Sequence, residues 1–396
     1  MYLEVKNLVK GYTNSTRVIN NLSFSVERGQ LISFVGESGS GKSTFLKCLA
    51  GLEKINSGHI SLNGNMINGN GVFVKPQKRK IGYVFQDYPL FPHLNIKENI
   101  LFNLDQKYIK NFTKIINLTN LEKLLERYPH EISGGEQQRA CIARSILREP
   151  DLLLLDEPFS NLDANIKYSI RDEICKIIRE SNITTILVTH DINDALNISD
   201  KILIFKAGMV QQFSSPETMY CEPANCYCAE VLGDINKFPI EDKVFYIRPE
   251  NIKLVDNSPN SMHVEKCFFQ GKEYKLIGRF KENIWSIISK KPVKINSEVY
   301  FDYSNQDLMF FDKDCSSFFT SENQNDIDPN DALSTGLNIF CFLIPVVGLI
   351  IYLTQKDKSP KKASSAVKAA IWGVGAQVVL SIISIIISFT MISSMY

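Results

Sequence analysis

The sequence lacks an excess of charge of either sign. Its 44 Lys and Arg stand against 43 Asp and Glu, a net charge of +1, so no basic surplus points to nucleic acid as a partner. It also lacks an apolar leader, opening with MYLEVKNLVKGY, and its nine cysteines are irregularly spaced. Both features argue against a secreted disulfide framework, and the amino-terminal part is expected to face a reducing cytosol. No internal repeat occurs at solenoid spacing. Cys221, Cys226 and Cys228 do not match the usual zinc spacings, which makes a structural or incidental role the better reading. What is there is the make-up of a folded protein, 44% hydrophobic and 22% charged over 396 residues. At roughly 100–200 residues per domain, that length suggests two or three domains.

Residues 1 to about 235 alternate short β-branched runs with longer amphipathic stretches, the pattern of a strand-and-helix domain with a partly parallel sheet. Strands are expected at 30–35, 81–85, 151–155, 184–189 and 201–205, with a helix at 42–52. From 238 to 312 the runs VFYIRP, HVEKCFF, EYKLIG, NIWSIIS and EVYFDY, each closed by turn residues, read as a small all-β barrel or sandwich. Residues 313–331 are polar and acidic and read as a linker. The rest, 332–396, holds two uncharged stretches, 332–355 and 369–396, on either side of a lysine-rich segment. Each exceeds the ~20 residues that span ~30 Å of hydrocarbon as a helix.

Gly36-Glu37-Ser38-Gly39-Ser40-Gly41-Lys42-Ser43 matches G-x-x-x-x-G-K-[ST], between a predicted strand and a predicted helix. Glycines let the backbone wrap an anion, and the helix amino terminus adds partial positive charge. Lys42 is expected to reach the β- and γ-phosphates of a nucleotide, and the Ser43 hydroxyl to ligate Mg²⁺. The alternative is a Gly/Ser turn capping an ordinary helix. An acidic element on a second buried strand follows as Leu152-Leu153-Leu154-Leu155-Asp156-Glu157. It plants Asp156 at the carboxyl edge, where open α/β sheets bind ligands. Asp156 can hold Mg²⁺ and Glu157 can orient or deprotonate the attacking water; by itself the pair could equally be a helix cap before Pro158.

Ile132-Ser133-Gly134-Gly135-Glu136-Gln137-Gln138-Arg139 resembles the signature carried by ABC ATPases between their phosphate loop and acidic strand. Glu136 stands where glutamine is usual. The resemblance implies an α/β P-loop NTPase fold with a helical subdomain, over residues 1–235. It implies ATP and Mg²⁺ as cofactors, with ATP clasped between the phosphate loop of one copy and Ser133, Gly134, Gly135 and Glu136 of another. It further implies that Tyr12 stacks on adenine, that Thr44 follows Ser43 at the nucleotide, and that Gln86 in VFQDY touches Mg²⁺ or water and senses the membrane partner. Asp163 in SNLD would couple the two sites, and His190 in LVTHD would bond the γ-phosphate. His59, His93, His130 and His263 carry no such context.

Residues 238–312 resemble the small TOBE domain, an OB-like β domain appended to importer ATPases for iron, polyamines, sulfate and molybdate. FVKPQKRKIGYVFQDYPLFPHLNIKENI looks most like the ferric-iron group. The implied partners are a second copy, a separate membrane permease and, indirectly, a solute-binding protein, with the ATPase on the cytoplasmic side of the inner membrane. ABC ATPases that move nothing are a competing class. The translation type usually carries two cassettes, whereas one phosphate loop occurs here, and the chromosome type inserts a long coiled coil before the signature. A regulatory membrane ATPase without a permease stays open. The tail is an addition to the family pattern, either a membrane hairpin with both ends cytosolic or a first segment that turns back at Pro345 to Gly348; two buried core helices are the soluble alternative. Lys356, Lys358, Lys361, Lys362 and Lys368 conflict with an external loop under the positive-inside rule.

Overall fold

The computed structural model describes residues 1–311 apart from 13–16, 161–163 and 241–242. β1 (Leu3–Gly11) and β2 (Arg17–Val26) pair antiparallel and turn Leu3, Val5, Leu8, Ile19 and Leu22 inward. β3 (Leu31–Val35), buried at every position, leads through the Gly36–Gly41 loop into α1 (Lys42–Ala50). β4 (Ser57–Leu62), β5 (Asn65–Gly69) and β6 (Val72–Phe73) extend the first sheet to the order β2-β1-β4-β5-β6. Sequence reading did not anticipate this antiparallel sheet. Its runs are broken by Asn and Gly turns and only half-buried, so they carry little apolar signal.

The second sheet supplies the site. β7 (Ile81–Val84) is one edge. A helical layer of α2 (Ile96–Leu101), α3 (Phe112–Leu118) and α4 (Gly134–Ile146) precedes β8 (Leu152–Asp156), and α5 (Ala164–Ser181), β9 (Thr184–Val188), α6 (Ile192–Ile198), β10 (Lys201–Lys206) and β11 (Met209–Ser214) follow in turn. The order is β11-β10-β3-β9-β8-β7, with every neighbouring pair parallel except β10 and β11. LISFV, LLLL and TTILV are buried throughout, as expected of parallel strands covered on both faces. One face packs α1 and the first sheet around Phe24, Phe34 and Phe45, whose rings meet at 4.8–5.6 Å. The other packs α4 and α5 through Ala140, Ile142, Ile174 and Ile178.

The expected strands are present with ends shifted by a residue. The helix expected to reach 52 stops at Ala50, where Gly51 turns left-handed at φ 81° and its N–H caps the last carbonyls.

After α7 (Pro216–Cys221) and α8 (Cys226–Val231), the described residues form strands joined by turns and two short 3-10 segments. β12 (Asn236–Ile240), β13 (Lys243–Ile247) and a short β19 (Met309–Phe310) form one sheet. β14 (Lys253–Val255), β15 (Ser261–Phe269), β16 (Tyr274–Phe280), β17 (Asn283–Ser289) and β18 (Glu298–Asp302) form a second, in the order β14-β18-β15-β16-β17. They close over Phe238, Phe280, Phe301 and Trp285, whose indole N–H donates to the Lys237 carbonyl at 2.9 Å. The expected linker at 313–331 and the apolar stretches 332–355 and 369–396 lie outside the described residues. Among those described, no helix is long and apolar enough to cross a membrane.

Candidate functional site

Four chain segments leave the carboxyl ends of adjacent parallel strands. The phosphate loop follows β3, His190 follows β9, Asp156 and Glu157 end β8, and Gln86 lies just past β7. Strand order alone therefore gathers residues far apart in sequence.

The loop can accept phosphate oxygens. A Cβ on Gly36 would fall 2.0 Å from the Phe205 carbonyl oxygen, and one on Gly41, itself at φ 108°, 2.6 Å from the Val18 carbonyl oxygen. Only glycine lets the backbone lie this close and leave its N–H groups facing the cradle. The Lys42 ammonium donates to the carbonyls of Gly36 and Glu37, both at 2.7 Å, and to Ser40 Oγ at 3.4 Å. Burial pulls its pKa below the ordinary lysine value, against the opposing fields of Glu157, Asp156 and Glu37. Glu37, Ser38 and Gly39 are exposed at the rim, whereas Ser40 is buried. Tyr12, 58% exposed, reaches Thr44 Oγ1 at 3.5 Å and Glu53 Oε1 at 3.4 Å, with the Lys10 ammonium 4.9 Å from its ring centroid. Its open ring face suits stacking on a base.

Ser43 Oγ donates to Asp156 Oδ1 at 3.2 Å. A hydroxyl and a carboxylate juxtaposed at a phosphate cradle form the hard oxygen pair that Mg²⁺ prefers, so the residues present fit the metal. Glu157 Oε2 lies 3.4 Å from both Gln86 Nε2 and His190 Nδ1. Gln86 Nε2 also reaches Ser160 Oγ at 3.3 Å. The Glu157 backbone is left-handed at φ 46°, pinned by its N–H to the Val188 carbonyl at 2.9 Å and by Ser160 Oγ donating to its own carbonyl at 2.9 Å. A pocket of about 150 Å³ opens between Glu157, Ser160, Thr189 and His190, room enough for an ordered water.

Ser133 caps α4, and its backbone N–H and hydroxyl both donate to Glu136 Oε2 at 2.8 Å, while the Glu136 N–H returns to Ser133 Oγ at 3.4 Å. Glu136 thus closes a capping box that a glutamine would also satisfy. Burial opposes its ionisation, yet the bonds from Ser133 and the nearby Arg139 and Arg127 prevail and hold the carboxyl below its usual range. A Cβ on Gly135 would meet Ile170 Cδ1 at 2.3 Å, which seats the helix start against α5. Asp163 lies outside the described residues.

Three groups carry no motif and escaped sequence reading. Tyr83 on β7 donates its hydroxyl to Asp156 Oδ2 at 2.8 Å. Arg79, 3% exposed, donates to the carbonyls of Cys48 and Leu49 at the end of α1, at 2.8 and 2.7 Å, and to those of Ile67 and Val74. Lys167 on α5 pairs with Asp191 and Asp194 on α6, at 2.5 and 2.9 Å, and so ties the helix after residues 161–163 to the one after His190. Among the described residues, no group of three or more His, Cys, Asp or Glu forms a metal cluster.

A glycine cradle with a buried lysine, a hydroxyl–carboxylate pair and a flanking Glu-His pair define the class: a phosphate-loop nucleotide hydrolase. The family described as ABC transporter matches residues 19–160. The chain is 35% identical over 305 residues to the Fe(3+) ions import ATP-binding protein FbpC of Haemophilus influenzae, spanning 68% of this chain and 87% of that one. It is 33% identical over 344 residues to the spermidine/putrescine import ATP-binding protein PotA of Clostridium novyi, spanning 78% and 98%. The sulfate/thiosulfate import ATP-binding protein CysA of Pseudomonas syringae is 34% identical over 265 residues, spanning 64% and 80%. A solved structure of cbiO1 from Clostridium perfringens, described as part of the ABC transporter complex cbiONQ, matches with TM-score 0.51 at 27% identity, over 56% of this chain and 91% of that one. The chain belongs to the ABC transporter ATP-binding family, and it is an ATPase working with Mg²⁺ and ATP.

Proposed function

We propose that this chain is the ATP-hydrolysing subunit of an ABC importer, with two copies closing on two nucleotides and passing the motion to a separate permease. The observation that carries the reading is the gathering of phosphate loop, Asp156, Glu157, Gln86 and His190 at neighbouring strand ends. Phosphoryl transfer is mainly positioning and electrostatic stabilisation. Lys42 and the loop N–H groups hold the phosphates, and Ser43, Asp156 and Gln86 would hold Mg²⁺, which would supply charge neutralisation at the phosphate oxygens. Glu157 orients the attacking water and accepts its proton, and His190 bonds the γ-phosphate. The capped start of α4 supplies a second anion-binding helix end, used on the nucleotide of the other copy. Asp163 is assigned to communication between the two sites.

A groove of about 470 Å³ lined in part by Ile81, Tyr83, Leu90, Phe91 and Phe102 runs between β7 and the helical layer. Phe85 and Phe102 are 41% and 46% exposed. With apolar walls and Arg144 and Arg148 also lining it, this groove suits an amphipathic helix of the permease. The second domain, 238–312, is assigned to association of the two copies. The 332–396 segment is assigned to the membrane, with the ATPase on its cytoplasmic side and a solute-binding protein as an indirect partner. Ferric iron is our substrate reading. Polyamine, sulfate and molybdate are the alternatives, because cargo is chosen by other subunits.

The test combines one variant with dilution. Glu157→Gln is expected to bind ATP normally, to lose about 10²–10⁴-fold in turnover and to accumulate as an ATP-bound dimer in size-exclusion chromatography. Wild-type activity per chain should fall on dilution. Normal hydrolysis by the variant refutes the assignment of Glu157, and concentration-independent activity from a monomer refutes the shared site. Radioactive iron uptake by cells with and without the gene, run beside putrescine and sulfate, decides the cargo.

A further inference from the structure

We infer that Tyr83 is a positioning residue for the metal site, holding the Asp156 carboxylate in the orientation that Mg²⁺ requires. The two oxygens of Asp156 are divided between two donors: Oδ1 takes the Ser43 hydroxyl at 3.2 Å and Oδ2 takes the Tyr83 hydroxyl at 2.8 Å. A carboxylate at a strand end can rotate about its terminal bond, since that torsion is broad. A hydrogen bond to the oxygen pointing away from Ser43 removes this freedom and leaves Oδ1 aimed at the phosphate loop. Hydrogen-bonded ligating carboxylates are the general pattern at metal sites, where loss of the outer partner typically costs 10–100-fold in metal affinity.

Tyr83 is itself held. It sits opposite Leu154 in the parallel β7–β8 register, two residues before Asp156. Its ring stacks on Phe85 with centroids 4.1 Å apart at 30°. A tyrosine hydroxyl carries its proton at neutral pH, so it serves as the donor to the Asp156 carboxylate. No sequence motif marks the residue, because the contact is made across two strands.

The inference rests on the assignment of Asp156 to the metal, and the experiment separates the two. Mn²⁺ binding is followed by electron paramagnetic resonance in the presence of a non-hydrolysable ATP analogue, for wild type, Tyr83→Phe and Asp156→Asn, with analogue binding in EDTA measured in parallel. Tyr83→Phe keeps the ring and its stacking on Phe85. It should weaken Mn²⁺ binding about 10–100-fold, leave metal-free analogue binding unchanged, and recover wild-type turnover when Mg²⁺ is raised to saturation. Unchanged Mn²⁺ affinity in Tyr83→Phe, or equal losses with and without metal, overturns the inference. Unchanged Mn²⁺ affinity in Asp156→Asn overturns the metal assignment beneath it.

Discussion

Glu136 shows how one residue can depart from a family pattern without loss of its local task. Its carboxylate accepts two bonds from Ser133 and sits in the first turn of α4, where negative charge is favoured. Because the folded carboxyl is held below its usual range, its contribution to stability is complete above the unfolded pKa and disappears as pH falls through the folded one. Glu136→Gln should keep the capping box and turnover. Its melting temperature should lie below wild type near neutral pH, with the gap closing under acid; a gap independent of pH would disprove the linkage. That Lys42, Ser43, Asp156, Glu157 and His190 lie at or beyond the ends of buried strands was legible in the sequence, since each sits in a short motif beside a continuously apolar run. The places of Tyr83 and Arg79 were not. Arg79 stands in the run QKRK, where nothing local marks it for burial, which depends on carbonyls from α1, from β5 and from Val74.

Among the elements, α1 is held at both ends. Its start is the phosphate loop, and its end delivers the carbonyls of Cys48 and Leu49 to the Arg79 guanidinium, a cation at the negative pole of the helix. Burial lowers the arginine pKa to about 10, which still leaves it charged at neutral pH. Arg79→Ala strips the partner from four carbonyls, one of them on β5 and one at Val74. A loss of about 2–4 kcal/mol in urea unfolding is expected, with weaker ATP binding as the helix start loosens; a loss within ~0.5 kcal/mol would show the cap to be dispensable. The parallel strands were legible because burial on both faces makes them continuously apolar. The antiparallel sheet was not, because β4, β5 and β6 are only partly buried and take their register in turn from β1, β4 and β5.

At the scale of the whole molecule, the ATPase part and the β sheets that follow it are joined by a buried arginine. Arg248, 3% exposed, donates to the carbonyls of Ala229, Gly233 and Asp234 at the end of α8, and its guanidinium lies 4.3 Å from the Tyr220 ring centroid. The Tyr220 hydroxyl donates to Glu250, and burial together with that carboxylate pushes the phenol up to about 12. Arg248→Ala should split a single cooperative melting transition into two and expose the 232–236 segment to limited proteolysis, with ATP binding retained. One unsplit transition would place the cohesion elsewhere. Nothing in the spacing of the sequence around Arg248 tells that the arginine turns back onto α8.

The left-handed turn at Glu157 sets endurance against speed. A non-glycine residue in that region of backbone space is held there by its surroundings at a cost of order 1–3 kcal/mol, and here it is the residue whose carboxylate faces His190 and Gln86. Selection for heat resistance at this position would favour glycine and, on the role proposed for Glu157, give a longer-lived, idle enzyme.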